Sequence, residues 1–316
     1  MIRFNRFRTQ GVHSYVCFER SEEGMKFYMR KFAIIGDIHS NMFAFNKILD
    51  ELEKNEIKEY IFLGDYVLDG FDSNAVLEKI RTLSENVVYG NKEEDVLSLN
   101  GEKLETWRTL DRWKNVIYVY DRISQQNFEY IKCLEKYKIL DIYGKKIMFF
   151  HGSPFKTRDY ILENEYEIFD NIIDEYDCDV YLMGHTHLHF YKEYKDKIFI
   201  NPGSAGMPIS DGKKFMYGIL TVDENNVKYE QKEIEYNYED IKKYFLSGNY
   251  HKNVKVWAEL SLCNLRYGKD YTKNFIKYLK EESNKKNIEF TAETPNWLWN
   301  ESYKKFKLLH PEIEDL

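Results

Sequence analysis

Cysteine is scarce in this chain and proline nearly as scarce, with four of one and five of the other among 316 residues. Cys17, Cys133, Cys178 and Cys263 are scattered, with no Cys-x-x-Cys spacing. That pattern excludes a zinc ribbon or a disulfide framework and suits reduced thiols, packed as small apolar side chains in a cytoplasmic protein. Long apolar runs are also missing: none approaches the roughly 18–20 residues that span a bilayer, so a soluble protein without a membrane partner is expected. Basic excess is absent too, and a formal charge of -7 argues against a broad footprint for nucleic acid. No repeat, low-complexity segment or Pro/Gly-rich linker marks a boundary.

Residues 1–28 are set apart. Arg3, Arg6 and Arg8 would suit a secretory leader, but the apolar stretch that should follow them is missing. Ser21-Glu22-Glu23-Gly24 precedes Met25 and is what a purine-rich ribosome-binding sequence would encode. The expectation is a disordered or unnatural leader, with the natural start at Met25 or Met29.

What is abundant is one recurring design, an apolar run that ends in glycine and then a donor side chain. Phe32-Ala33-Ile34-Ile35-Gly36 leads to Asp37 and His39, and Tyr60-Ile61-Phe62-Leu63-Gly64 leads to Asp65. Val87-Val88-Tyr89-Gly90 leads to Asn91, Ile147-Met148-Phe149-Phe150 to His151, and Val180-Tyr181-Leu182-Met183-Gly184 to His185 and His187. Buried strands read as such short apolar runs, and α/β sheets collect ligands beyond the carboxyl ends of their strands. Carboxylate, imidazole and amide donors on one rim suit divalent metal ions and, lacking thiolate, are compatible with Mn, Fe, Co, Ni or Zn.

Between the strands, Phe45, Ile48, Leu49 and Leu52 have helical spacing, and Asn74 is a possible cap for a helix carrying Leu77, Ile80 and Leu83. Residues 93–137 read as an inserted helical cover beside the site. A helix over 165–176 interrupts the second run of strands, and the turn at Gly212-Lys213 with alternation in 216–222 and 227–234 predicts antiparallel hairpin strands. From about 236 to 316 helices dominate and charge is balanced, as in a solvated lobe. The expected architecture is α/β: two packed mixed sheets flanked by helices, a four-layer α-β-β-α sandwich over 29–235, with a C-terminal helical lobe over 236–316.

The order Asp-x-His, Gly-Asp, Gly-Asn, His-Gly and Gly-His-x-His resembles the calcineurin-like metallophosphoesterases, over roughly residues 30–235. Gly36-Asp37-Ile38-His39-Ser40-Asn41, Gly64-Asp65-Tyr66-Val67 and Asn201-Pro202-Gly203-Ser204 look like the compact bacterial phosphodiesterase-type branch. The resemblance implies two divalent ions, Mn²⁺ being favoured by resemblance alone. One would take Asp37, His39, Asp65 and His187; the other would take Asp65, Asn91, His151 and His185, with Asp65 bridging. It also implies hydrolysis of a phosphate ester by a hydroxide bridging the two ions, whose separation in such sites is about 3.5–4 Å. Asn91, Lys92 and His151 are the candidate catalytic residues.

Lys92 departs from the pattern, since many relatives carry a histidine or aspartate there, thought to protonate the leaving group. A lysine, with a reference pKa near 10.4, is a poor proton shuttle at pH 7. It either offsets charge on the phosphate or leaving group, or is simply a solvated residue at a helix start. Asn41 reads as a helix cap, Asn201–Ser204 as a turn or rim, and His189 as an exposed strand residue or a support for His187. The many tyrosines, among them Tyr236, Tyr238 and Tyr244, are better explained by codon bias than by base stacking. The expected function is a cytoplasmic two-metal phosphoesterase for a small phosphodiester or nucleotide. Alternatives are a dinucleoside polyphosphate hydrolase, a protein Ser/Thr phosphatase, or a non-catalytic protein-binding scaffold like the retromer subunit of this fold. The oligomeric state is open.

Overall fold

The computed structural model describes residues 5–9, 12–20, 26–210 and 213–313, with side chains from residue 29 onward. Two mixed β-sheets pack face to face. The first contains β1 (Asn5–Thr9), β2 (Val12–Arg20), β3 (Lys26–Ile35) and β4 (Glu59–Phe62). The second contains β5 (Tyr137–Ile142), β6 (Lys145–Phe150), β7 (Val180–Leu182), β8 (His189–Tyr194) and β9 (Lys197–Pro202). The chain then returns to the first sheet as the hairpin β10 (Lys214–Asp223) and β11 (Val227–Glu235). The first sheet runs β1-β2-β3-β10-β11 with β4 parallel to β3, and the second runs β5-β6-β7-β9-β8 with a parallel centre.

The alternation of side chains along β3 explains why two layers of core form on either side of it. Phe32 and Ile34 point between the sheets, where they meet Ile61, Phe149, Leu182 and Leu220. Ala33 and Ile35 point outward to α1 (Met42–Lys54) and α2 (Ser73–Leu83), through Phe45, Ile48, Leu77 and Ile80. All four β3 residues are fully buried, the signature of a strand covered on both faces. Behind the second sheet, α7 (Tyr166–Glu175) lays Phe169 and Ile172 on Met148, Tyr181 and Phe199. Each large apolar side chain buried this way contributes about 1.5–3 kcal/mol.

Residues 91–132 form α3 (Asn91–Leu97), α4 (Gly101–Arg108), α5 (Lys114–Tyr120) and α6 (Gln125–Lys132). Their apolar residues Val96, Trp107, Val116 and Ile131 join the outer core of the first sheet. After β11 come α8 (Tyr238–Ser247), α9 (Tyr250–Asn253), α10 (Lys255–Tyr267), α11 (Tyr271–Lys285) and α12 (Asn296–Leu309). Leu260, Phe275, Leu279, Trp299 and Phe306 give these last helices a core of their own. Among the described residues, no helix is long and apolar enough to cross a membrane.

Several local expectations change. Part of the leader expected over 1–28, including Ser21–Met25, lies outside the described residues, but 5–9 and 12–20 run as strands that pair into the first sheet rather than as irregular chain. Gly212 of the expected turn is likewise outside them. Asn74 lies inside α2, where Asp72 occupies the cap position. Its side chain instead accepts from Ser124 N–H and donates to the Arg122 carbonyl, tying α2 to the loop before α6. Val87 and Val88 make only isolated bridges, to Phe62 and Glu135, because the chain turns into α3 at once. Cys178 and Cys263 are buried as expected, whereas Cys133 is exposed at the end of α6.

Candidate metal centre

The seven predicted donors come together. The loop after β3 continues the ladder past the strand end: Asp37 N–H donates to the Gly64 carbonyl and His39 N–H to the Asp65 carbonyl, both at 3.0 Å. Gly184 N–H donates to the His151 carbonyl at 2.8 Å and ties the ends of β7 and β6 in the same way. These bonds hold the loops in conformations that L-residues avoid. Asp37, His39, Asp65, His185 and His187 all have φ between 51° and 68°. Such strain costs on the order of 1 kcal/mol or more per residue and clusters at functional sites.

Glycine is required at two places for close approach. A Cβ on Gly64, itself at φ 94°, would stand 2.7 Å from Gly90 N, and one on Gly90 would run into the Asp65 carboxylate. This explains the Gly-donor pattern physically: the glycines let three loops pack against one another.

Two groups of donors result, Asp37 with His39 and His187, and Asp65 with His151 and His185. In the first, His187 Nε2 is 3.0 Å from His39 Nε2 and 3.3 Å from Asp37 Oδ1. In the second, His151 Nε2 is 3.3 Å from Asp65 Oδ2 and 3.1 Å from Asn91 Oδ1. Asp65 Oδ2 is also 3.9 Å from His39 Nε2, so this carboxylate stands between the groups. Asp37, His39, Asp65, Asn91 and His151 are buried, while His185 and His187 are partly open.

The other ring nitrogen of three histidines faces an outer oxygen. His151 Nδ1 donates to the Leu63 carbonyl at 2.8 Å and His187 Nδ1 to the Met207 carbonyl at 2.6 Å, while His39 Nδ1 is 3.0 Å from Asp69 Oδ2. Those contacts leave each Nε2 as the inward atom, the arrangement by which outer partners orient metal-binding imidazoles. Two inward Nε2 lone pairs 3.0 Å apart repel unless a cation stands near them. The donor set therefore fits divalent cations.

The ion-free electrostatics say the same. Burial opposes charge on His151, but the Asp65 carboxylate beside it outweighs burial and raises its pKa to about 9. Burial and the neighbouring His151 push His185 down to about 3. Burial would raise Asp65, yet His151, His39 and Lys92 hold it well below the usual carboxylate range. Asp37 is lowered against its burial in the same way, chiefly by His187.

Three residues outside the expected ligand set shape the site. Lys92 is not a solvated lysine: its Nζ is 3.1 Å from Asp69 Oδ2, and despite burial Asp69 and Asp65 raise its pKa. Asp69, also at positive φ, joins Lys92 to His39 and accepts from Asn115 Nδ2 at 2.7 Å. No spacing in the sequence marks it. Glu93 is fully buried and accepts from the N–H groups of Gly90, Asp65, Tyr66 and Val67 at 2.8–3.1 Å, clamping two donor loops together. Burial and the Asp65 charge raise its pKa to about 7. Its position three residues after Gly90, at a helix start, was the available signal.

Asn41 caps α1 by accepting from Ala44 N–H, and its Nδ2 donates to the Gly206 carbonyl. Asn201 and Ser204 are buried supports: Asn201 Nδ2 donates to the Gly184 carbonyl, and Ser204 Oγ to that of Asp37. His189 is exposed and stacks near Tyr229, and His187 takes its support from Met207. Tyr236 and Tyr238 are buried, and Tyr236 donates to the Leu265 carbonyl.

Residues 30–225 match the model of the calcineurin-like phosphoesterase superfamily domain. The chain belongs to this superfamily. Among its relatives is an uncharacterized protein of Methanocaldococcus jannaschii, 31% identical over 227 residues that cover 67% of this chain and 88% of that one. The fold is shared with a metallophosphoesterase from Sphaerobacter thermophilus at a TM-score of 0.60 and 18% identity, over 76% of this chain and 99% of that one. A hypothetical protein from Pyrococcus horikoshii aligns at 0.60 and 19% identity, over 73% and 97%. The superfamily match ends at residue 225, so α8 to α12 lie beyond it.

Beside the donors is a cavity of about 300 Å³. His39, Asp65, Lys92 and His185 form one wall, and the other includes Ser261 and Asn264 of α10 with Thr272 and Lys273 of α11. No residue of the helical cover expected over 93–137 lines it, because those helices pack outward onto the first sheet.

Proposed function

We propose that this member of the superfamily is a metal-dependent phosphoester hydrolase acting on a small phosphodiester or nucleotide. The observation that carries the reading is the convergence of two adjacent donor groups, with Asp65 between them, at the floor of a small cavity. Asp37, His39, Asp65 and His187 would hold one divalent ion, and Asp65, Asn91, His151 and His185 the other, Mn²⁺ being the first choice by resemblance. When bound, such a pair supplies Lewis acidity to phosphoryl oxygens and lowers the pKa of a bound water.

The chain's own groups set the rest of the chemistry. Asp65 and Asp37 carry the negative charge that retains cations, and the neutral amide of Asn91 limits that charge so that a phosphate is still attracted. Lys92 stays protonated and is held by Asp69, so it stabilises charge on the phosphate or leaving oxygen rather than delivering a proton. Esters with good leaving groups, such as aryl phosphates or phosphoanhydride-linked nucleotides, are accordingly favoured over alkyl monoesters. A protein Ser/Thr phosphatase is less well supported, because α10 and α11 close one side of the cavity. A non-catalytic scaffold would not need every donor position to hold a coordinating group.

Metal analysis of the purified protein, followed by assay of a bis-aryl phosphate with and without Mn²⁺, tests the reading. The expected result is metal-dependent hydrolysis that His39→Gln reduces by more than the roughly 100-fold typical of losing an outer partner, with the fold kept. Absence of hydrolysis under saturating Mn²⁺, Fe²⁺, Co²⁺, Ni²⁺ and Zn²⁺ would count against it.

A further inference from the structure

The cavity beside the donors is at the small end of the range for ligand pockets, and its two cations are in different situations. Lys92 is neutralised by Asp69. Lys273, on the first turn of α11, has no carboxylate oxygen within 4.0 Å among the described residues; its ammonium stands over the ring of Tyr160, 3.6 Å from the centroid. That ring in turn lies edge-on to His185, with centroids 6.0 Å apart. A chain of two contacts thus leads from the donor set to a cation on the opposite wall. The acid nearest to Lys273 in sequence, Asp270, also lines the cavity, but its Oδ1 accepts from the Lys273 backbone N–H as the cap of α11.

An ammonium over a half-exposed aromatic face is weakly held. Exchange of that contact for a charge-assisted hydrogen bond to an anion is favourable, since such bonds are roughly twice as strong as neutral ones. A phosphate at the donor set would leave the remainder of the ligand facing Lys273.

We propose that Lys273, carried over the cavity by α11 and resting on Tyr160, reads a second anionic group on the substrate. The favoured compounds then bear a carboxylate or a further phosphate beyond the phosphate at the donor set. The proposal rests on the phosphoester reading above and makes Lys273 a specificity-determining residue supplied by helices outside the superfamily domain.

The test is equilibrium binding of butylphosphonate and 4-phosphonobutyrate to the metal-loaded full chain. These compounds differ only in a terminal carboxylate and cannot be hydrolysed. The expected result is about tenfold tighter binding of the carboxylated compound, equivalent to about 1.4 kcal/mol. Lys273→Ala should bring the two affinities together without changing that for butylphosphonate, Lys273→Arg should keep the preference, and Tyr160→Leu should reduce it. Equal affinities in the wild type, a preference that survives Lys273→Ala, or failure of both compounds to bind would overturn the proposal. A chain that shows the preference yet hydrolyses no phosphate ester would support this inference while sinking the enzymatic one.

Discussion

The two walls of the cavity are built by opposite means. The wall from the strand ends uses five donors at positive φ, two fully or almost fully buried carboxylates and glycines packed against backbone. The wall from α10 and α11 uses ordinary helical backbone with an Asp270 cap and presents Thr272 and Lys273 partly or fully exposed. Donors that must meet metal ions at fixed distances need an over-determined frame, and the clamp made by Glu93 and the ladder bonds beyond β3 provide it. Residues that choose among substrates need only face the cavity. The first wall should tolerate almost no change and the second a good deal.

The largest expected effect follows from the closest packing. Gly90→Ala forces a methyl group into the Asp65 carboxylate and should destabilise the fold by about 1–3 kcal/mol, with metal affinity falling as well. Lys273→Ala on the other wall, at an exposed position, should stay within about 0.5 kcal/mol. Denaturant unfolding of both variants checks the contrast, and equal losses would break it.

Next in size is Asp69→Asn. This variant removes the carboxylate beside His39 Nδ1 and frees Lys92, and it should cost roughly 10–100-fold in metal affinity or activity. Competition with a chelator of known affinity measures it. An unchanged affinity would show that Asp69 only neutralises Lys92.

The third contrast concerns protons. In chelator-treated protein His151 has a folded-state pKa of about 9, above its reference of 6.5, so its contribution to stability is complete below pH 6.5 and is lost as pH rises through 9. His185, lowered to about 3, contributes in the opposite sense: it favours the folded state above pH 6.5 and loses that advantage as pH falls toward 3. Glu93, raised to about 7, opposes His185 between pH 4.5 and 6.5, so the metal-free chain should lose stability chiefly above pH 6.5. Bound metal takes the place of the His151 proton and should abolish the decline between pH 6.5 and 9. Thermal unfolding across that range, with and without metal, reads the difference.

How much of this was legible beforehand varies by element. The buried strands announced themselves through runs such as Phe32–Ile35, and the donors through their positions after Gly36, Gly64, Gly90 and Gly184. The cap at Asn41 and the helix carrying Phe45, Ile48 and Leu52 followed from spacing alone. Asn74 is inside the helix because a cap is chosen by the direction of the incoming chain, and three polar residues stand in a row at Asp72, Ser73 and Asn74. Asp69 carried no signal, since its importance arises only when a loop folds back onto His39 and Lys92. The second wall of the cavity was assigned in part to 93–137, whose helices turn away because Trp107, Val116 and Ile131 find the outer core first.

The amino-acid order by itself determined the superfamily, the two-sheet architecture and which polar residues gather at the strand ends, because local periodicity and short apolar runs that end in polar side chains are written in consecutive residues. Tertiary structure alone decided that Lys92 is paired with Asp69, that Glu93 clamps the donor loops, and that α10 and α11 close the cavity with Lys273 facing the donors across it. Those facts depend on contacts between residues far apart in the chain, Lys92 with Asp69, Glu93 with the 65–67 loop, and α10 and α11 with the strand ends.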